Sequence, residues 1–231
     1  MRAALSLPVG HGFGLAAELL LGAAKRKSHA TCQCLLALIS MAPFIAAAQP
    51  VAVEIDNSWV HVSRLHLAPH EKFAVREYPA SVVVYLSDTK QTKNGETAYF
   101  PAGARVVENS SDQPLEEVLI EFKPGAPRPP YQPITRDPAK LDPKYHTVDF
   151  ENDRVRVLRT VLEPHIKSPM HEHPPYVVVY VTELHTTMAL ADGRLVDNVR
   201  RKGEIAWRDA MRHSTENVGN QTAMEIQVEV K

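Results

Sequence analysis

The sequence predicts an all-β protein built from two tandem barrels. Three observations carry this: an internal repeat, short β-branched runs broken by turn residues, and a proline-rich stretch between the two copies. Residues 53–86 read VEIDNSWVHVSRLHLAPHEKFAVREYPASVVVYL, and residues 148–181 read VDFENDRVRVLRTVLEPHIKSPMHEHPPYVVVYV. They align without a gap: Asn57 meets Asn152, His70 meets His165, and Val82-Val83-Val84-Tyr85 meets Val177-Val178-Val179-Tyr180. The match resumes with Gly95-Glu96 against Gly203-Glu204 and Glu108-Asn109 against Glu216-Asn217. Repetition on this scale means that one structural unit has been duplicated.

Within each copy, Val60, Val62 and Leu67, like Val155, Val157 and Leu162, alternate with polar residues, and no segment carries a helical period. Many short strands separated by Gly, Pro, Asn and Asp indicate a sandwich or barrel. The second copy is longer between Val181 and Gly203, where HTTMALADGRLVDNVR reads as a hairpin turning at Asp192-Gly193. Between the copies, KPGAPRPPYQPITRDPAKLDPKYH holds seven prolines, from Pro124 to Pro143. That density excludes a regular helix or central strand and predicts an extended linker laid across a surface. The expected organisation is a first barrel over 49–123, a linker over 124–147 and a second barrel over 148–231.

Residues 1–48 differ from the rest. Lys25-Arg26-Lys27 precedes an apolar run, Leu35 to Ala48, that ends in Ala46-Ala47-Ala48. Positive, apolar, small is the order of a secretory signal peptide, here behind an unusually long N-terminal extension. The run is short for a membrane span of ~20 residues. Cleavage near Ala48 would place the mature chain in the periplasm or medium, without Cys32 and Cys34 and without a membrane anchor. The net charge of -1 gives no reason to expect nucleic acid as a partner.

The chemistry is concentrated in the second copy. His171-Glu172-His173 heads a strand, and side chains two apart on a strand share a face. His213 follows the strand-like Glu204-Ile205-Ala206-Trp207. Three neutral imidazoles converging inside a barrel form a site for a divalent transition metal (Fe, Mn or Zn) with open positions. At the ordinary imidazole pKa of ~6.5, its affinity would weaken as pH falls toward ~5. Glu172 points away by strand parity, His165 repeats as His70, and Asn217 repeats as Asn109, so these read as parts of the fold. His185 belongs either to the barrel mouth or to a solvated strand, and Trp207 and Met170 read as core.

The segments PMHEHPPYVVVYV and KGEIAWRDAMRHSTENVG resemble the two sequence motifs of the cupin family: His-x-His before a strand, then Gly, His and Asn. The resemblance covers both copies. It implies two cupin-type double-stranded β-helix (jelly-roll) barrels, a bicupin. The family's glutamate ligand is replaced by Val177 or Val178, so the resemblance points to the three-histidine variant. Losing a carboxylate leaves the metal more positive and favours an anionic small molecule in its open positions. A metal-dependent oxygenase or isomerase is one implied function; a non-catalytic small-ligand-binding or sensor protein of the cell envelope is the other, since one fold hosts many activities.

In the first copy, Arg76, Tyr78 and Arg105 stand where His171, His173 and His213 stand in the second. Arginine keeps its proton and cannot ligate, so this barrel is expected to hold no metal. Inward arginines require glutamate partners, a bound anion or a strand shift toward water; the first and last are the expected solutions. The first copy would then serve as packing area, in a monomer or a homodimer.

Overall fold

The computed structural model describes residues 51–129 and 133–231, so the proposed signal segment lies outside the described residues. The first copy begins with β1 (Ala52–Asp56), β2 (Val60–Leu67), β3 (Arg76–Tyr78) and β4 (Ser81–Tyr85). It ends with β5 (Thr97–Phe100), β6 (Gly103–Arg105) and β7 (Leu115–Phe122). Five of these strands form one antiparallel sheet in the order β1-β2-β7-β4-β5, while β3 and β6 pair separately. The alternation read along the chain now has two distinct sides. Val60, Val62, Val82, Val84, Val118 and Ile120 face one way; Leu65, Leu67, Val83 and Leu119 line the barrel.

A one-turn helix, α1 (Pro138–Leu141), interrupts the linker, contrary to the expectation of purely extended chain. Proline is tolerated at its start because the first N–H groups of a helix have no internal partner, and the Asp137 side chain caps Ala139 N. The second copy follows as β8 (His146–Glu151), β9 (Val155–Leu162), β10 (His171–His173) and β11 (Tyr176–Tyr180). The longer segment is the expected hairpin, β12 (Leu184–Leu190) and β13 (Leu195–Arg200), with Gly193 at φ 85° in its turn. Next come β14 (Ile205–Arg208), β15 (Met211–Asn217) and β16 (Ala223–Val230). The sheet β14-β11-β16-β9-β8 repeats the first copy's large sheet, but the small one is now four strands, β10-β15-β12-β13. Register repeats as well: Val60 pairs with Phe122 in the first copy and Val155 with Val230 in the second.

The two large sheets pack face to face. Their outward valines and isoleucines, from Val60 and Ile120 to Val179 and Val228, form one buried cluster shared by both copies. Each such side chain contributes ~1.5–3 kcal/mol on full burial, so the copies are joined by a core and not by a surface contact. Polar contacts across this boundary are paired like those of a two-fold dimer. Arg64 pairs with Glu54 and donates to Gly203 O, while its repeat equivalent Arg159 pairs with Asp149 and donates to Gly95 O. Gly95 and Gly203 adopt φ 83° and 82°, a conformation that turns these carbonyls toward the other copy at no steric cost to glycine. The aromatic pairs Trp59–Trp207 and Tyr99–Phe150 stack at 5.3 and 4.4 Å, so Trp207 belongs to the boundary between barrels.

Candidate metal centre

Strand β10 pairs antiparallel with β15, and His171 lies directly opposite His213. His173 shares the face of His171 by parity. The imidazole centroids are 4.6 Å apart for His171–His213, 4.8 Å for His171–His173 and 5.3 Å for His173–His213. One nitrogen from each lies within 4.8 Å of the other two, and the three side chains are 2–3% exposed.

Hydrogen bonding decides which nitrogens are free. His173 Nδ1 meets Glu229 Oε1 at 2.7 Å, His171 Nδ1 meets Pro169 O at 2.7 Å, and His213 Nδ1 meets Thr215 Oγ1 at 3.2 Å. With Nδ1 engaged on each ring, Nε2 is the nitrogen left to face the shared point. His173 Nε2 and His213 Nε2 are buried without any partner. Buried polar atoms are ordinarily paired, and two unpaired imidazole nitrogens facing one point fit a borderline divalent cation.

Burial keeps all three rings neutral. It lowers the pKa of His171 to about 4 and, with the neighbouring histidines, that of His213 to about 2; His173 is likewise held well below the ordinary value by burial and the neighbouring histidines. The expectation of proton competition near pH 5 is therefore displaced to lower pH, because these imidazoles are desolvated.

Behind His173 stands a charged relay. Arg156 Nε donates to Glu229 Oε2 at 2.6 Å, and Arg156 Nη1 donates to Asp137 Oδ1 at 3.0 Å. Burial opposes the Arg156 charge, but Glu229 and Asp137 outweigh it and hold its pKa above the ordinary value. A carboxylate accepting from the far nitrogen of a ligating histidine fixes its tautomer and raises its basicity. Neither Glu229 nor Arg156 was singled out from the sequence. A usable signal lay in the repeat, since Glu225 and Glu229 recur as Glu117 and Glu121 at alternate positions of the closing strand.

His146 was missed too. It is 2% exposed on β8, its ring 5.0 Å from that of His171, with Nδ1 buried without a hydrogen bond, 4.0 Å from Asp142 Oδ2, and burial lowering its pKa to about 4. Its repeat counterpart is Val51, so comparison of the copies could not flag it. Glu172 points outward as expected, accepting from Thr135 N and Arg136 N at 2.9 and 3.1 Å. That contact pins the linker beside β10. A cleft of about 660 Å³ adjoins His173, with Thr135, Glu172, Met211 and Arg212 on its walls.

The remaining candidates fall outside the centre. His70 and His165 take φ 60° and 64° at equivalent turns. Asn109 and Asn217 tie their turns together by donating to Leu67 O and Gln113 O, and to Leu162 O and Gln221 O. His185 is half exposed and meets Asp197 at 2.7 Å on the hairpin. Met170 is only half buried, and its carbonyl accepts from Arg136 Nε.

In the first barrel, Arg76 lies opposite Arg105, the same register as His171 opposite His213. The expected glutamate partners are not used: among the described residues, neither arginine forms an ion pair. Instead the two guanidinium groups lie 4.1 and 4.2 Å from the Tyr78 ring. Arg76 is exposed, which meets the expectation that an arginine here turns toward water, while the half-buried Arg105 lies on aromatic faces with Glu117 and Glu121 acting on it only at longer range.

No family model and no curated protein matches the sequence. Solved structures do match the fold. AerE from Microcystis aeruginosa aligns over 74% of this chain and 88% of its own, at 12% identity and a TM-score of 0.53. A single-substitution variant of oxalate decarboxylase from Bacillus subtilis aligns over 74% and 68%, at 12% identity and a TM-score of 0.53. A cupin domain from Bordetella pertussis Tohama I aligns over 37% of this chain and 91% of its own, at 25% identity and a TM-score of 0.35.

Proposed function

With the chain folded as a bicupin, we propose that its second barrel holds one divalent transition metal on Nε2 of His171, His173 and His213 and acts on a small molecule. The observation that carries this reading is the pair of buried, unpartnered Nε2 atoms of His173 and His213, beside a third imidazole whose Nδ1 is occupied. Bound there, the metal supplies Lewis acidity and, if redox-active, electron transfer. The protein's own residues do the rest. Glu229 and Arg156 orient His173, and β10, tied to the linker through Glu172, holds His171 and His173 side by side. Arg212, on the cleft wall, gives an anionic substrate a counter-charge at the approach.

The Bacillus subtilis oxalate decarboxylase that shares the fold carries Mn(II) centres, which puts manganese with iron and zinc among the ions to test. Elemental analysis of the purified chain is expected to find one such ion. His213→Ala should lose it, because two imidazoles hold a divalent ion poorly, and Arg76→Ala should keep it. Two ions per chain, or an ion retained without His213, would overturn the assignment. Oxygen uptake by protein loaded separately with iron, manganese and zinc divides oxygenase chemistry from isomerisation or simple binding. Export with cleavage near Ala48 completes the reading; N-terminal sequencing of the periplasmic or secreted chain tests it, and an intact N-terminus in the cytosol would refute it.

A further inference from the structure

The first barrel has a cavity of its own, of about 170 Å³, whose walls include Val83, Tyr85, Phe100, Arg105, Val107 and Glu117. Its polar groups are only partly paired within the protein. Arg105 lies between the Tyr78 and Phe100 rings, 4.2 and 4.8 Å from its Cζ, and donates through Nη2 to Ser81 Oγ at 2.7 Å. Its Nη1 is buried with no acceptor. Glu117 is 5% exposed, and among the described residues neither its carboxyl nor the Tyr85 hydroxyl makes a hydrogen bond. Of these groups only Arg105 Nη1 is fully buried without a partner; the half-buried Tyr85 hydroxyl and the Glu117 carboxyl border the same cavity, so a molecule bound there meets a donor that the protein leaves unpaired.

We propose that the first barrel is a metal-free binding site for a small carboxylate bearing a neighbouring hydroxyl. Arg105 and the Tyr85 hydroxyl donate to the carboxylate, and Glu117 pairs with the ligand's hydroxyl. At ~30 Å³ per water-sized group, the cavity takes a molecule of about five or six heavy atoms. The fixed planar guanidinium suits a carboxylate better than a spherical ion. Two stacked rings hold it in place, so little rotamer freedom is lost on binding. The small β3–β6 sheet lacks the hairpin that widens its counterpart in the second barrel, and this pocket lies beside β6.

Glycolate is the probe, titrated against the full mature chain carrying His213→Ala in the presence of a chelator, so that no metal can take the anion. The glycolate methylene NMR signal is expected to report saturable binding at one site. Acetate, lacking the hydroxyl, should bind more weakly. Arg105→Gln should reduce glycolate affinity about tenfold or more, as expected for losing a charge-assisted hydrogen bond. Should that variant fail to fold by circular dichroism, Glu117→Gln and Tyr85→Phe, which keep side-chain shape, serve instead. Glu117→Gln should bring glycolate down toward acetate and leave acetate unchanged, and Tyr85→Phe should weaken both. Absence of saturation, or equal binding by folded variants and parent, overturns the proposal.

Discussion

The two barrels share backbone, register and a common core, yet one presents three imidazoles where the other presents two arginines and a tyrosine. His171 faces His213 across one strand pair, and Arg76 faces Arg105 across its equivalent. The same contrast recurs behind the site: Glu229 lies across from Arg156, whereas Glu121 lies across from His61. A barrel wall therefore sets where side chains point, and the identity of a few inward residues sets what they can hold. Neutral desolvated imidazoles leave lone pairs aimed at a point; guanidinium groups stack and keep their charge.

The largest expected break in this symmetry comes from the closing strand. Glu229→Ala should destabilise the metal-free protein by about 3–5 kcal/mol in urea, because it leaves the buried Arg156 short of a partner. Glu121→Ala should cost under ~1 kcal/mol, since among the described residues no arginine forms an ion pair with it and Arg105 acts on it only at longer range. In the metal-loaded protein, the milder Glu229→Gln should weaken metal affinity by ~10–100-fold through His173. Equal destabilisation by the two alanine variants would show that the relay adds nothing specific to the second barrel.

Next in size is a pH effect confined to one barrel. His146 and His171 have folded pKa values near 4, and His213 near 2, against ~6.5 in the unfolded chain. As pH falls from ~6.5 to ~4, the unfolded chain takes up protons that the folded chain refuses, so the metal-free second barrel loses stability. Burial pushes Glu117 and the half-buried Glu225 up to about 7, which stabilises both folded barrels as pH falls from ~7 toward ~4.5. These two occupy equivalent positions and cancel in the comparison. Hydrogen exchange corrected for intrinsic rates should show protection falling more in β9 and β16 than in β2 and β7. Parallel loss in both would tie the effect to the shared core.

The smallest test sharpens the pseudo-two-fold. A Cβ on Gly95 would sit 2.9 Å from Val181 Cγ1, in a packed side chain, while one on Gly203 would meet Arg64 Nη1 at 3.2 Å. Both substitutions carry the left-handed penalty of about 1–2 kcal/mol. Gly95→Ala should add a packing cost on top, and Gly203→Ala little, as thermal unfolding of the two variants would show.

How much of this was legible in the chain follows from what a repeat can reveal. Duplication, strand alternation and the His-x-His spacing are local or pairwise patterns, so the all-β two-barrel architecture and the grouping of His171, His173 and His213 could be read directly. The Asp192-Gly193 hairpin was legible because turn chemistry is local. The fourth histidine, His146, was not, because its first-copy counterpart is Val51. Nor was the Glu229–Arg156–Asp137 relay, whose members come from β16, β9 and the linker and meet only when the barrel closes. Pairing of Arg76 and Arg105 with Tyr78 in place of glutamates was likewise settled by distance. Residue type states which partners are chemically allowed, and only the packed barrel determines which of them lie within reach.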